Sequence, residues 1–250
     1  MNHREEGPPQ IVDVQGRELS ADAAEALETR GFVVLRGPYS ADELTGVQRA
    51  YDRACEQAAP QDIGVGRTSI RVTDFVNRGP EFDAIYTWPP ALDAAARVIG
   101  RPFRLSAMHA RTLRPGAAPQ ELHVDVPRSS DAWPMLGLIF MVDDFRGDNG
   151  ATRFVPGSHR TTELPEHVMA DPLAPYDGEV LGVGGAGSVI LFHASTWHGH
   201  TANVSASGRR SLQATFIPRT ARPATDFAAR MRPETRARLS SVARYLVGID

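Results

Sequence analysis

Residues 101 to 220 alternate between short apolar segments and turn signals, and this pattern constrains the fold more than any other feature. The strand-like segments are "FRLSAMHARTLRPG", "MLGLIFMVDDF", "ATRFVPGSH", "GGAGSVILFHAS" and "RRSLQATFIPR". Turns such as "RGDNG" separate them. Short strands at this spacing favour a β-sandwich or barrel over βαβ units.

Helical patterns flank this β-rich region on both sides. Ser20 and Ser40 are predicted N-caps of two helices, the second with Glu43 at the capping-box position. A short buried strand is predicted between them at 32–35, and the segment 59–80 is predicted to be irregular.

A third helix, "PPALDAAARVIG", is predicted to end at Gly100, and "TDFAARMRPETRARLSSVARYLVG" is predicted to form one or two C-terminal helices. The sequence thus indicates a single α+β domain with a mainly β core. We divide it into a tail at 1–17, a mainly helical flank at 18–100, the β core at 101–220 and a C-terminal helix at 221–250.

Charge and composition exclude several classes of function. A net charge of −3 and a pI near 6.2 leave no basic footprint for nucleic acid or anionic membranes. All 27 basic residues are arginine, which excludes lysine Schiff-base and P-loop mechanisms. A single cysteine, Cys55, excludes an internal disulfide framework, and no apolar run reaches 18 residues. We expect a soluble, cytoplasmic monomer or homodimer.

The segment "QELHVDVPR" contains a His-x-Asp pair, His123 and Asp125. Such a pair also arises by chance in a chain with 8 histidines, so it decides nothing alone. If 121–126 is a strand, both side chains project from one face and converge on one ion.

A second segment, "FHASTWHGHTAN", offers three more histidines, His193, His198 and His200. Two histidines and one carboxylate with open positions form the facial triad of non-haem Fe(II) oxygenases. Three protein ligands leave coordination sites for a co-substrate and dioxygen.

The strand "GRRSLQATF" supplies a candidate anion site. With a period of two, Arg209, Ser211, Gln213 and Thr215 share one polar face, which is unusual for a packed core and typical of a ligand cavity. A guanidinium matches a carboxylate in a bidentate manner, as the distal carboxylate of 2-oxoglutarate would require.

Five motifs in order then show that the chain resembles the phytanoyl-CoA dioxygenase family of Fe(II)/2-oxoglutarate oxygenases. They are "RGFVVLRG" at 30–37, "HVD" at 123–125, "NGATRFVPGSH" at 149–159, "HGHTAN" at 198–203, and Arg209 eleven residues after His198. The resemblance covers roughly residues 18 to 220.

The resemblance implies a double-stranded β-helix, or jelly roll, with Fe(II), 2-oxoglutarate and O2 as cofactor and co-substrates. It implies that His123, Asp125 and His198 ligate Fe(II). The co-substrate contacts that it implies are Arg209 for the distal carboxylate, with Gln120, Thr152 and Ser211 assisting.

Asp125 also carries an implication about the reaction. Relatives that halogenate have a small residue in place of the carboxylate, so the carboxylate here favours hydroxylation of a small-molecule C–H. 2-Oxoglutarate would be decarboxylated to succinate and CO2.

Two histidines depart from the family pattern or remain outside it. His200 replaces a serine of the family's H-G-S motif, and a contact to co-substrate or substrate or a surface or loop position fits it. It also competes with His198 as the metal ligand, but the spacing to Asn203 and Arg209 favours His198. His193, five residues before His198, is predicted to lie on the wrong strand face for the metal.

Substrate signals are sparse. Arg67, Arg71 and Arg78 lie where relatives line the substrate pocket, and they fit either an anion site or a solvated surface. Two other functions remain open: a jelly-roll Zn(II) hydrolase or isomerase that uses the same triad, and a non-catalytic 2-oxoglutarate-binding sensor.

Overall fold

Two antiparallel sheets form the centre of the protein. The computed structural model describes residues 18–129 and 134–249; the predicted tail at 1–17 lies outside these ranges. The strands are β1 (Phe32–Arg36), β2 (Ile63–Val65), β3 (Ser69–Val72), β4 (Phe103–Leu113), β5 (Leu136–Met141), β6 (Thr152–Phe154), β7 (Val180–Gly182), β8 (Ser188–His193), β9 (His198–His200) and β10 (Arg209–Pro218).

The larger sheet has seven strands in the order β1-β8-β5-β10-β4-β3-β2, and the smaller has three in the order β7-β6-β9. Their facing sides pack through aromatic and aliphatic side chains. Phe32 of β1 stacks on Phe154 of β6 with ring centroids 4.3 Å apart, and Ile190 of β8 is fully buried in the same cluster. Burial of each such side chain contributes roughly 1.5–3 kcal/mol, so this layer holds the two sheets together.

Helices flank the sheets, and most of them cover the opposite face of the larger sheet. They are α1 (Ala21–Arg30), α2 (Ala41–Glu56), α3 (Asp83–Tyr86), α4 (Pro89–Ile99), α5 (Pro165–Val168), α6 (Phe227–Arg230), α7 (Pro233–Arg238) and α8 (Ser241–Val247). Their apolar sides join Leu138, Leu191 and Phe216 of the sheet in the main core. No helix in the described part of the chain is long and apolar enough to cross a bilayer.

Local signals place the helix ends where the sequence predicts them. Ser20 caps α1, Ser40 and Glu43 form a complete capping box on α2, and Gly100 ends α4 in the left-handed conformation. These signals act within four residues, which is why the sequence alone reveals them.

The predicted fold class is confirmed. A mainly antiparallel β core with helices packed outside it is the jelly-roll arrangement, and the two sheets of the described residues do not join into a closed barrel. The flank at 18–100 is more than helical, because β1, β2 and β3 all belong to the larger sheet.

Two local predictions are wrong. Residues 59–80, predicted to be irregular, contain β2 and β3, which extend the larger sheet beyond β4. Residues 121–126, predicted to be a strand, form only a single bridge between His123 and His198. The main chain of this segment bonds instead to residues about 70 positions later in the sequence, as the hydrogen bond from Asp125 N to Ala194 O shows.

Candidate metal centre and its pocket

His123, Asp125 and His198 converge at β9, an edge strand of the smaller sheet. One ligand atom from each residue lies within 4.8 Å of the others. His123 Nε2 is 4.0 Å from Asp125 Oδ1, and His198 Nε2 is 3.8 Å from Asp125 Oδ2. The structure therefore brings together the three residues that the sequence predicts as ligands.

The hydrogen bonds of both histidines determine which ring nitrogen faces the centre. His123 Nδ1 donates to the Glu121 carbonyl at 3.0 Å, and His198 Nδ1 donates to the Thr196 carbonyl at 2.9 Å. A proton on each Nδ1 leaves both Nε2 atoms as lone-pair acceptors in the neutral rings. Burial lowers the pKa of His198 to about 4, so this ring is neutral at pH 7.

The Nε2 atoms of both histidines and the carboxyl group of Asp125 thus face each other, and such a donor set suits a divalent cation. Acceptors without a proton between them repel one another, and a metal ion at the centre removes that repulsion. Two imidazoles and one carboxylate are the donor set of a non-haem Fe(II) site, so the residues present fit the implied metal.

The backbone ties the two halves of the triad together. His123 N donates to His198 O and His198 N donates to His123 O, both at 2.9 Å. Gly199 allows this approach, because a Cβ there would lie 2.8 Å from the Gln120 carbonyl oxygen and 2.9 Å from that of Glu121. A side chain at 199 would push the two ligand-bearing segments apart.

Arg209 lies in the same pocket and has no carboxylate partner among the described residues. It is 2% exposed, its Nε has no hydrogen-bond partner, and its guanidinium stacks 3.8 Å from the centre of the Phe145 ring. Burial, followed by the charge of Arg111, lowers its pKa to about 9, so it remains a cation at pH 7. An uncompensated buried cation in a cavity suits an anionic ligand.

The pocket that holds these groups has a volume of about 320 Å³ and is apolar on one side. Its lining includes the triad, Arg209, Leu138, Ile139 and Phe192. Gln213 and Thr215 line it as well, so the predicted polar face of β10 does border a cavity.

The other predicted co-substrate contacts lie at different depths. Gln120 lines the pocket, and its Nε2 is 3.5 Å from His123 Nε2. Thr152 lines it from β6, and its hydroxyl makes no hydrogen bond within the described residues. Ser211 is fully buried, outside the pocket lining, and its hydroxyl donates to the Arg111 carbonyl at 3.2 Å.

The two remaining histidines have separate environments. His200 lines the pocket, its Nδ1 donates to the Thr201 carbonyl, and its buried Nε2 has no hydrogen-bond partner in the described part of the chain. His193 lies away from the triad and stacks on His159, with ring centroids 4.8 Å apart. His193 and His198 were predicted to lie on opposite faces of one strand, but they belong to different strands. β8 ends at His193, and the chain turns before β9 begins at His198.

Sequence reasoning missed two polar residues of the pocket, His109 and Arg111. Both lie on β4, where His109 Nε2 is 3.1 Å from Gln213 Oε1 and Arg111 Nη2 donates to Gln120 Oε1 at 3.3 Å. The available signal was their period-two spacing in "AMHARTL", which places both on one face of a strand.

Comparison with known proteins agrees with this geometry. A family model described as phytanoyl-CoA dioxygenase (PhyH) matches residues 27–211. The chain belongs to the phytanoyl-CoA dioxygenase family.

Several curated relatives that are similar to the chain are named as dioxygenases. Dioxygenase af480 of Aspergillus fumigatus is 28% identical over 68% of this chain and 57% of its own length. Ectoine dioxygenase of Bordetella bronchiseptica is 25% identical over 75% of this chain and 71% of its own length. The chain spans little more than half of af480 and 37% of dioxygenase cdmA of Talaromyces verruculosus.

Solved structures show a similar fold over most of the chain. SnoK, a non-haem alpha-ketoglutarate-dependent carbocyclase from nogalamycin biosynthesis, aligns over 94% of both chains with a TM-score of 0.66 and 22% identity. HygX of Streptomyces hygroscopicus, solved with nickel and 2-oxoglutarate bound, aligns over 82% of this chain and 89% of its own with a TM-score of 0.67 and 15% identity.

Proposed function

We propose that this protein is an Fe(II)/2-oxoglutarate-dependent dioxygenase that hydroxylates a C–H bond of a small-molecule metabolite. One observation carries the proposal: the converging His-Asp-His centre shares a pocket with a buried arginine that has no carboxylate partner among the described residues. The family membership and the cofactors named for HygX support it. The net charge of −3 and the single cysteine support a cytoplasmic small-molecule enzyme.

In this proposal His123, Asp125 and His198 hold Fe(II), and Arg209 binds the distal carboxylate of 2-oxoglutarate. When bound, Fe(II), 2-oxoglutarate and dioxygen supply the oxidising chemistry, with conversion of 2-oxoglutarate to succinate and CO2. The Thr152 hydroxyl would donate a hydrogen bond to an oxygen of 2-oxoglutarate. Gln120 would also contact 2-oxoglutarate, from the opposite side.

The apolar residues of the pocket have a role of their own. Ile139 and Phe192, which belong to the apolar layer between the sheets, exclude water from part of the pocket, and this strengthens the pairing of Arg209 with a carboxylate. The Phe145 ring holds the guanidinium plane in place, so Arg209 is oriented before any ligand arrives.

Hydroxylation is the outcome that Asp125 favours, because its carboxylate occupies the metal position that a halide would need. SnoK is named as a carbocyclase, so product analysis has to identify the reaction. A hydroxylated product gains one oxygen atom, whereas a cyclised product loses two hydrogens.

Succinate formation from 2-oxoglutarate in the presence of Fe(II) and oxygen tests the proposal. We expect turnover with Fe(II) and none with Zn(II), and Asp125→Ala should remove turnover and weaken metal binding at least about 100-fold. Asp22→Ala, which changes an exposed carboxylate on α1, is the matched control and should leave both unchanged.

The two alternative functions give different results in the same assay. A Zn(II) hydrolase would be active without oxygen or 2-oxoglutarate, and a sensor would bind 2-oxoglutarate tightly without forming succinate. If the iron-loaded protein neither binds nor consumes 2-oxoglutarate, the proposal is wrong.

A further inference from the structure

A second cavity opens directly beside the metal pocket. It has a volume of about 510 Å³ and lies between the β2–β3 hairpin at 64–69 and the segment at 119–123. Both cavities are lined by Arg71, Arg111, Gln120 and His123. The two spaces therefore meet at this group of residues, one of which is a candidate metal ligand.

Arg71 and Arg111 lie directly opposite each other on β3 and β4. Residues paired in this way have Cβ atoms about 5 Å apart, and like charges at such positions destabilise a sheet. The pairing of Arg71 with Arg111 therefore lowers the stability of the sheet unless an anionic group lies between the two guanidinium groups.

No protein carboxylate plays that part among the described residues. The hydrogen bonds of Arg111 go to neutral groups, Ser69 Oγ at 3.4 Å and Gln120 Oε1 at 3.3 Å. The acidic groups nearby are Glu121, exposed at the cavity wall, and Asp125, whose carboxylate faces the metal centre. Arg67 adds a third positive charge to the same wall.

The electrostatic effect of this crowding is visible at Arg111. Burial, and then the charge of Arg71, lowers the pKa of Arg111 to about 10, so it is still a cation at pH 7. A bound anion would relieve both the lost hydration and the repulsion between the two arginines.

We propose that Arg71 and Arg111 bind an anionic group, a carboxylate or a phosphate, of the primary substrate. The inference rests on the proposed function and names the substrate class for it. The Arg111 side chain contacts Gln120, and Gln120 contacts His123. Two side-chain contacts thus connect an anion bound at Arg111 to a candidate metal ligand. The oxidised C–H bond is therefore near the charged end of the substrate.

The anion in question is not the distal carboxylate of 2-oxoglutarate. Arg209 is buried in the metal pocket and absent from the lining of the second cavity, whereas Arg71 is exposed to it. One cation thus serves the enclosed co-substrate, and the arginine pair serves a ligand that enters from solvent.

Matched probes test the proposal on the full chain loaded with Fe(II) and 2-oxoglutarate without oxygen. Butyl phosphate and pentanoate are titrated beside butanol and pentanamide, their uncharged counterparts, with ligand-observed NMR as the readout. We expect at least one anion to bind about tenfold or more tighter than its counterpart. Comparison of the two anions separates a phosphate site from a carboxylate site.

Variants then assign the binding to the pair. Arg71→Gln, at an exposed position that tolerates the change, and Arg111→Lys should each weaken the anionic probe about tenfold. Arg101→Gln is the control: this exposed arginine precedes β4, about 30 Å along the strand from Arg111, and should change nothing.

The affinity for 2-oxoglutarate, measured in parallel, separates this inference from the proposed function. It should stay within about twofold in Arg71→Gln. Equal binding of charged and uncharged probes, or variants with unchanged anion affinity, would overturn the inference and leave the oxygenase proposal intact. It is also overturned if Arg111→Lys weakens 2-oxoglutarate and not the probe, because Arg111 would then belong to the co-substrate.

Discussion

Two regions of the molecule contain buried arginines, and they treat the charge differently. Where the C-terminal helices meet the segment at 62–78, Asp62 pairs with Arg78 at 3.0 Å and with Arg230 at 2.5 Å, and Asp74 adds a 3.2 Å contact to Arg230. In the metal pocket Arg209 has no such partner among the described residues.

Neighbouring residues of β10 show the same difference at its sharpest. Arg210 faces outward and pairs with Asp143 and Asp52, and hydrogen bonds to these carboxylates raise its pKa. Arg209, on the other face, has its pKa lowered by burial. We infer that an arginine with a structural role is paired with a carboxylate of the same chain. An arginine with a ligand-binding role is paired with the carboxylate of the ligand.

The largest effect on stability is expected at Asp62, which pairs with Arg78 and Arg230. Asp62→Asn leaves the buried Arg78 without its carboxylate, so we expect the free energy of unfolding in urea to fall by about 3 kcal/mol. Glu81→Gln, which removes a pair with the exposed Arg53, should cost about 1 kcal/mol or less. Equal losses in the two variants would remove the distinction between buried and exposed pairs.

The next effect concerns binding. Arg209→Gln should raise the Kd for 2-oxoglutarate about 100-fold, because it removes the charged partner of a buried carboxylate. Arg210→Gln should leave that Kd within about twofold and cost about 1 kcal/mol of stability through its half-exposed pairs. Isothermal titration with the metal-loaded protein measures the first quantity and urea denaturation the second. If Arg210→Gln weakened 2-oxoglutarate instead, the two roles would be reversed.

The burial of His193 predicts that the stability of the protein depends on pH. Burial, followed by the charges of His159 and Arg128, lowers the pKa of His193 to about 4, from an ordinary value near 6.5. The unfolded chain takes up this proton first, so stability is full above about pH 6.5 and is lost as the pH falls towards 4.

The slope from this one group is at most about 1.4 kcal/mol per pH unit. Urea denaturation of His193→Gln between pH 7 and 4.5 should show a correspondingly flatter decline. His167→Gln, at an exposed position, should follow the unmodified protein. A His193 variant with the original slope would place the acid sensitivity elsewhere.

The smallest effect is expected from a neutral group of the pocket. Thr152→Val keeps the shape of the side chain and removes its hydroxyl, so the Kd for 2-oxoglutarate should rise about fivefold. Thr29→Val on the exposed side of α1 is the control. An unchanged Kd would mean that Thr152 only lines the pocket.

The sequence predicts features that depend on near neighbours or on a fixed order of motifs. The capping box of Ser40 and Glu43 is local. The spacing of eleven residues between His198 and Arg209 matches the family pattern and can be read directly from the sequence. Convergence of His123 and Asp125 was predicted for the wrong reason, since long-range hydrogen bonds and not a strand orient them.

The pairing of Arg71 with Arg111 was beyond the reach of the sequence. It depends on the register between β3 and β4, which is set by the packing of the whole sheet. The same holds for the separation of Arg209 from the second cavity. Sequence patterns indicated which residues are polar on a strand face, while tertiary structure determined which cavity each one meets.

The reciprocal bonds between His123 and His198 give a bound metal a mechanical consequence. These residues are 75 positions apart, so an ion bound by both would join two distant segments of the folded chain, and its binding free energy would add to the stability of the fold. Between them run β5, β6, β7 and β8, strands of both sheets. In the proposed enzyme, bound iron would therefore stabilise the packing of the two sheets as well as supply reactivity, and removal of the ion would lower the stability of the fold.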